Sequence, residues 1–255
     1  MGVFFTAAAL SLACLLLCLP ALRKAPARRY VGFIVLFVMA LTTSTDLRRV
    51  FQWIPRIPGQ YNWTGKGLEL IVSVVAIALL LSLDNWKREE FGLTLAFNKG
   101  TGRDVLRFLI PVLLVEAVAL WFLIPGQVPT FEDHLFQLTP PGITEELAFR
   151  GVLLALVDRA FLARRRIFGA DLGWSTVVTS IIFGLWHGLE VRSDLKVSLD
   201  IAPMVIPMLG GFVLAWCRAR SGTLILPILA HTGMNEFANL IALAKAPKVQ
   251  ASITK

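Results

Sequence analysis

The chain has 255 residues, 56% of them hydrophobic and only 16% charged, and a mean hydropathy of +0.70. A soluble domain carries about a quarter charged residues, so this composition excludes one and points to a protein that lives in a lipid bilayer. The formal charge of +8 comes from Lys and Arg gathered in short loops between apolar runs. No basic stripe interleaved with aromatics accompanies it, so nucleic acid is not expected as a partner.

Taken in order, the apolar runs predict an all-α, polytopic bundle of about eight transmembrane helices in one membrane domain, residues 1–255. The spans are expected at about 3–22, 30–45, 67–84, 106–125, 142–161, 173–190, 199–217 and 222–244. The first, "VFFTAAALSLACLLLCLPAL", has no basic stretch before it and no clear small-x-small cleavage site. It reads as a retained span rather than a signal peptide. After the second span, "DLRRVFQWIPRIPGQYNW" is expected to be a tilted continuation or an interfacial helix, its Trp and Tyr at headgroup level. Cys14, Cys18 and Cys217 lie in or at the end of apolar runs and show no CxxC, so buried, reduced thiols are expected.

Basic residues set orientation. Alternate loops hold fifteen Lys and Arg on one side, and on the other nine, among them Lys66, Lys245, Lys248 and Lys255. The positive-inside rule then places both termini outside the cytoplasm.

Ionisable groups inside spans mark function by default. Here they are Glu116, Glu145, Glu146, Arg150, His187, His231 and Glu236, with Asn235 beside the last. Glu146 and Arg150 are four apart, on one helix face, and can neutralise each other. Glu145 is turned about 100° away and has no partner on its own helix. It either caps the helix N-terminus, where the dipole favours an anion, or does chemistry. His187 shares a face with Phe183, and His231 with Asn235; Pro227 is expected to kink the last span near His231. In the orientation above, Glu145, His187, His231 and Asn235 fall at similar depth and can form one site. Burial favours the protonated form of a carboxylate, which suits Glu145 to take a proton from water. A neighbouring His can pass that proton to a leaving amine, and a second His with an Asn can hold an oxyanion. No Ser or Cys among these groups has a nucleophile's setting.

The stretches "EELAFR" (145–150), "FGLWH" (183–187) and "HTGMN" (231–235), in this order on separate spans, resemble the three motifs of the CPBP intramembrane protease family. That family includes CAAX prenyl endopeptidases of the Rce1 type and bacterial Abi proteins. The resemblance covers about residues 105–243 as a catalytic core, with 1–104 as N-terminal spans without a recognised motif. It implies an endopeptidase that cuts near the C-terminus of a membrane-associated or lipid-anchored protein. By that resemblance Glu145 with His187 activates water, His231 and Asn235 hold the oxyanion, and Glu146, Arg150 and Phe183 support the site. Catalysis without a cofactor is expected; the alternative is Zn²⁺ on Glu145, Glu146, His187 and His231, though no HExxH spacing is present. His134 is expected in a loop, Glu116 as a buried pairing partner or cavity lining, and Glu236 as a residue behind the site. Expected partners are the bilayer and a membrane protein or peptide with a C-terminal tail, and the expected location is a bacterial inner membrane. Two other classes stay open: a proton-coupled transporter, and a non-catalytic scaffold or immunity protein of the same fold.

Overall fold

The computed structural model describes residues 1–83 and 85–247, so Lys248 and Lys255 of the loop count lie outside the described residues. Helix α1 is Gly2–Cys18, extended by a 3₁₀ turn to Arg23; α2 is Ala25–Thr45 and α3 is Trp63–Leu83. Helix α4 covers Thr101–Leu123, with a wide π turn at Val105–Leu109. A short helix, α5, is Phe131–Leu138. Helix α6 joins Pro140–Glu146, a π segment Leu147–Leu153, and Leu154–Ala160. Then follow α7, Trp174–Gly188; α8, Ile201–Ser221; and α9, Ile225–Lys245. The chain is nearly all-α, a polytopic helical membrane bundle. Among the described residues five helices, α1 to α4 and α8, are long and apolar enough to cross a bilayer. They turn bare apolar side chains outward, such as Leu36, Leu79, Val115 and Phe122, as a lipid-facing surface requires. The other three expected spans became α6, α7 and α9, which carry the polar motif residues.

Three local expectations are corrected. Residues 131–138 form a helix, not a loop, and His134 lies in it. A capping box starts α5: the Thr130 hydroxyl accepts from the Asp133 amide while the Asp133 carboxylate accepts from the Thr130 amide. The segment after α2 neither continues that helix nor forms a long interfacial one. It makes a single turn, Leu47–Val50, and then runs irregularly past Pro55 and Pro58, which cannot donate to a helix ladder. Pro227 falls in the first turn of α9, where amides lack helical acceptors in any case, so its missing N–H disrupts nothing. Two small hairpins also appear: β1 Arg164–Ile167 with β2 Ala170–Gly173, and β3 Leu189–Val191 with β4 Val197–Leu199.

The irregular segment docks on α5. Tyr61 stacks on Phe136 at 4.2 Å and donates to Asp133 at 2.6 Å, while Trp63 packs edge-on against the same Phe136. Burial, and then the hydrogen bond to Asp133, push the Tyr61 phenol up to about 12.

Helix α6 is the central one. Ala148 through Val157 are buried without a break, packed with Leu10, Ile34 and Ile182 of α1, α2 and α7. On its far side, α7 and α8 approach closely at glycines. A Cβ on Gly184 would stand 2.5 Å from the Met204 carbonyl oxygen and 2.6 Å from Met208 Cβ. Overpacking of this kind costs about 1–3 kcal/mol, so Gly184→Ala should lower the unfolding midpoint of the detergent-purified protein. Gly32→Ala on α2, where a Cβ meets nothing within 4 Å, should not lower it, since alanine suits a helix interior better than glycine. Equal midpoints for both variants would contradict this packing.

The helix ends sort into two poles. At one, Arg159 holds both carboxylate oxygens of Glu90 at 2.7 Å, and Arg220 holds Asp104 at 2.7 Å. At the other lie Met1, the end of α2, the 189–199 hairpin and a polar cavity.

Candidate active site

The cavity measures about 850 Å³, and its lining includes Thr45, Lys66, Glu145, Trp186, His187 and Glu190. Glu145 stands near the start of α6, where the chain enters that helix through Pro140, Pro141 and Gly142. A Cβ at Gly142 would collide with Thr232 Oγ1; its absence lets α6 and α9 lie close enough for Glu145 and Glu146 to reach His231.

The two adjacent glutamates do different things. Glu146 and Arg150 are both fully buried and form the expected ion pair at 2.8 Å. The same Glu146 Oε1 accepts from His231 Nδ1 at 2.8 Å. Arg150 donates further to the Gly211 carbonyl of α8 at 3.2 Å and lies over the Phe183 ring at 4.5 Å. Phe183 in turn meets the His187 ring edge-on at 4.6 Å. The supporting residues thus tie α6, α7, α8 and α9 together.

Glu145 points the other way. Its Oε2 lies 3.8 Å from His187 Nε2 and 3.9 Å from His231 Nε2, and this buried oxygen has no hydrogen-bond partner among the described residues. The two rings are oriented by their other nitrogens. His187 Nδ1 is 2.8 Å from the Phe183 carbonyl, which can only accept, so Nδ1 carries the hydrogen. His231 Nδ1 likewise donates to Glu146. Both Nε2 atoms are therefore turned toward Glu145 with a lone pair free in the neutral ring.

Glu145 is not unpaired, as expected from its own helix, because its partner comes from α3. Lys66 Nζ donates to Glu145 Oε1 at 2.7 Å and to Glu69 at 2.9 and 3.2 Å. Glu69 is fully buried and also accepts from Thr45 Oγ1 at 3.0 Å and Thr144 Oγ1 at 3.1 Å. The orientation count treats Lys66 as a loop residue, and Glu69 is not among the candidates. The signal was present: "KGLE" places a base and an acid three apart, one helical turn, at the head of an apolar run. Two charges that cancel locally raise little alarm in a hydropathy scan.

Asn235 is half-buried one turn beyond His231 and has no hydrogen-bond partner among the described residues. Glu236 does not reach the site; it pairs with His134 of α5 at 2.5 Å. Glu116, half-buried on α4, forms no hydrogen bond or ion pair among the described residues and lies within electrostatic range of His231. Of the residues of the Zn²⁺ alternative, Glu146 Oε1 is taken by Arg150 and His231, and an ammonium occupies Glu145 Oε1. Cys14, Cys18 and Cys217 are free and buried, as expected.

Carboxylates and imidazoles drawn together from separate helices beside a polar cavity of a membrane bundle define the class: an integral membrane protein with a buried cluster of ionisable groups. Residues 128–237 match the family profile described as "Type II CAAX prenyl endopeptidase Rce1-like". The resemblance seen in the three motifs is therefore matched by a family profile over the segment that carries them. No curated protein and no solved structure matches the chain.

Proposed function

We propose that the protein is a glutamate-type intramembrane endopeptidase that hydrolyses a peptide bond near the C-terminus of a membrane-associated or lipid-anchored protein. The observation that carries this reading is the free Oε2 of Glu145 between two imidazole Nε2 atoms. At 3.8–3.9 Å from the two ring nitrogens, Glu145 Oε2 borders a space suited to a water molecule, whose two protons Glu145 and His187 can accept.

In the proposed reaction Glu145 takes a proton as the water oxygen attacks the scissile carbonyl carbon, forming a tetrahedral oxyanion. His187 relays the proton to the leaving amine. His231, with the Glu146 carboxylate behind its Nδ1, can bear a second proton and offers Nε2–H to the oxyanion, and Asn235 adds its amide. Glu146 and Arg150 fix His231 and the helices around it. No metal is assigned a step. The cavity opens at the same end as Met1; with the loop charges, this supports a reading in which the site is extracytoplasmic in a bacterial inner membrane and trims exported sorting or anchoring tails.

The test is mass spectrometry of membrane-protein C-termini from cells expressing the wild type or Glu145→Ala at matched levels. A small set of proteins should keep extra C-terminal residues only with the variant. Identical C-termini in both would count against proteolysis and leave the transporter and scaffold readings.

A further inference from the structure

We propose that Lys66, held in place by Glu69, is a positioning residue that sets the Glu145 carboxylate for catalysis; this rests on the glutamate mechanism above. A carboxylate on a flexible side chain can rotate, and either oxygen can face the reacting water. Here Lys66 Nζ fixes Oε1 at 2.7 Å, which leaves Oε2 aimed at His187 and His231. The ammonium is itself fixed on three sides. Glu69 holds it at 2.9 Å, the Trp186 ring lies 4.8 Å away, and the lysine stem is 12% exposed. Glu69 is immobilised by Thr45 on α2 and Thr144 on α6. An anchor thus runs from α2 and α6 through α3 to the base, in the part of the chain that carries no family motif.

The anchor also has a charge logic. One ammonium facing one buried carboxylate would neutralise it and weaken it as a base. Glu69 shares the ammonium, so Lys66, Glu69 and Glu145 together keep one negative charge, which faces the two imidazoles. The remaining charged groups around Glu145, Glu146 and Arg150, cancel each other.

Kinetics of the purified protein on a C-terminal peptide substrate test this. Lys66→Met should lower kcat by about ten- to a hundredfold, as sub-ångström misplacement of a catalytic group does, with KM within about twofold. Lys66→Arg, which keeps a donor on Oε1, should recover much of that loss. Because Glu69 acts through Lys66, Glu69→Gln should lower kcat alone yet add nothing on top of Lys66→Met. The proposal is overturned if arginine fails to rescue, if the loss lies in KM, or if the two losses multiply. A second readout needs no turnover: labelling with an amine-reactive ester, mapped by mass spectrometry. Lys66 should be protected relative to exposed Lys87 and lose protection when both partners are removed, in Glu69→Ala/Glu145→Ala. Labelling of wild-type Lys66 as fast as Lys87 overturns the anchor. Protection in a wild type that cleaves no peptide supports the anchor and counts instead against the protease reading.

Discussion

Glu145→Gln should reduce peptide cleavage by the purified protein about 10²–10⁴-fold, the range that loss of a general base produces, while the protein stays folded. The substitution keeps the shape of the side chain, and its amide oxygen can still accept from Lys66. What disappears is the proton acceptor between His187 and His231. The unfolding midpoint should change little, because Lys66 retains Glu69 as a partner. The measurement is kcat on a peptide substrate alongside a melting curve. Residual activity within a few fold of wild type would remove Glu145 from the mechanism, whatever became of the fold.

Arg150→Met should have the largest effect on stability. Arg150 and Glu146 are fully buried at the junction of α6, α8 and α9. Removing one member of a buried pair leaves the other charge uncompensated, which costs about 3–5 kcal/mol. The double variant Glu146→Gln/Arg150→Met leaves no charge and should recover part of the loss, so the two substitutions should be strongly non-additive. Unfolding midpoints of the wild type, both single variants and the double complete the cycle. An unchanged midpoint for Arg150→Met would mean that the pair does not brace the bundle.

Much of this was legible from the chain alone, for physical reasons that differ by residue. Long apolar runs have few alternatives to helices in lipid, and the eight expected spans all became helices. The pairing of Glu146 with Arg150 follows from helical spacing, and the convergence of Glu145, His187 and His231 from their depth. Contacts between elements were not legible. Lys66 meets Glu145 across 79 residues, and nothing local to either side chain announces it. His134 and Glu236 are 102 residues apart, and their pairing takes Glu236 away from the motif beside it. Helix α5 was missed because "FEDHLFQL" is short and polar, so no span template fits it. The π segment in α6 was hidden for another reason: its apolar pattern differs little from that of a regular helix.

Two of the ion pairs that lie within single helices bear on how the protein is made. Lys66–Glu69 is internal to α3, and Glu146–Arg150 to α6. Each segment therefore emerges from the ribosome already carrying its own counter-charge, and neither has to wait for a later helix before leaving water. The surplus carboxylate, Glu145, is synthesised only after the lysine that will receive it has been delivered to the bilayer. Had the order been reversed, with α6 preceding α3, a naked anion would have had to linger in the membrane until its cation was translated.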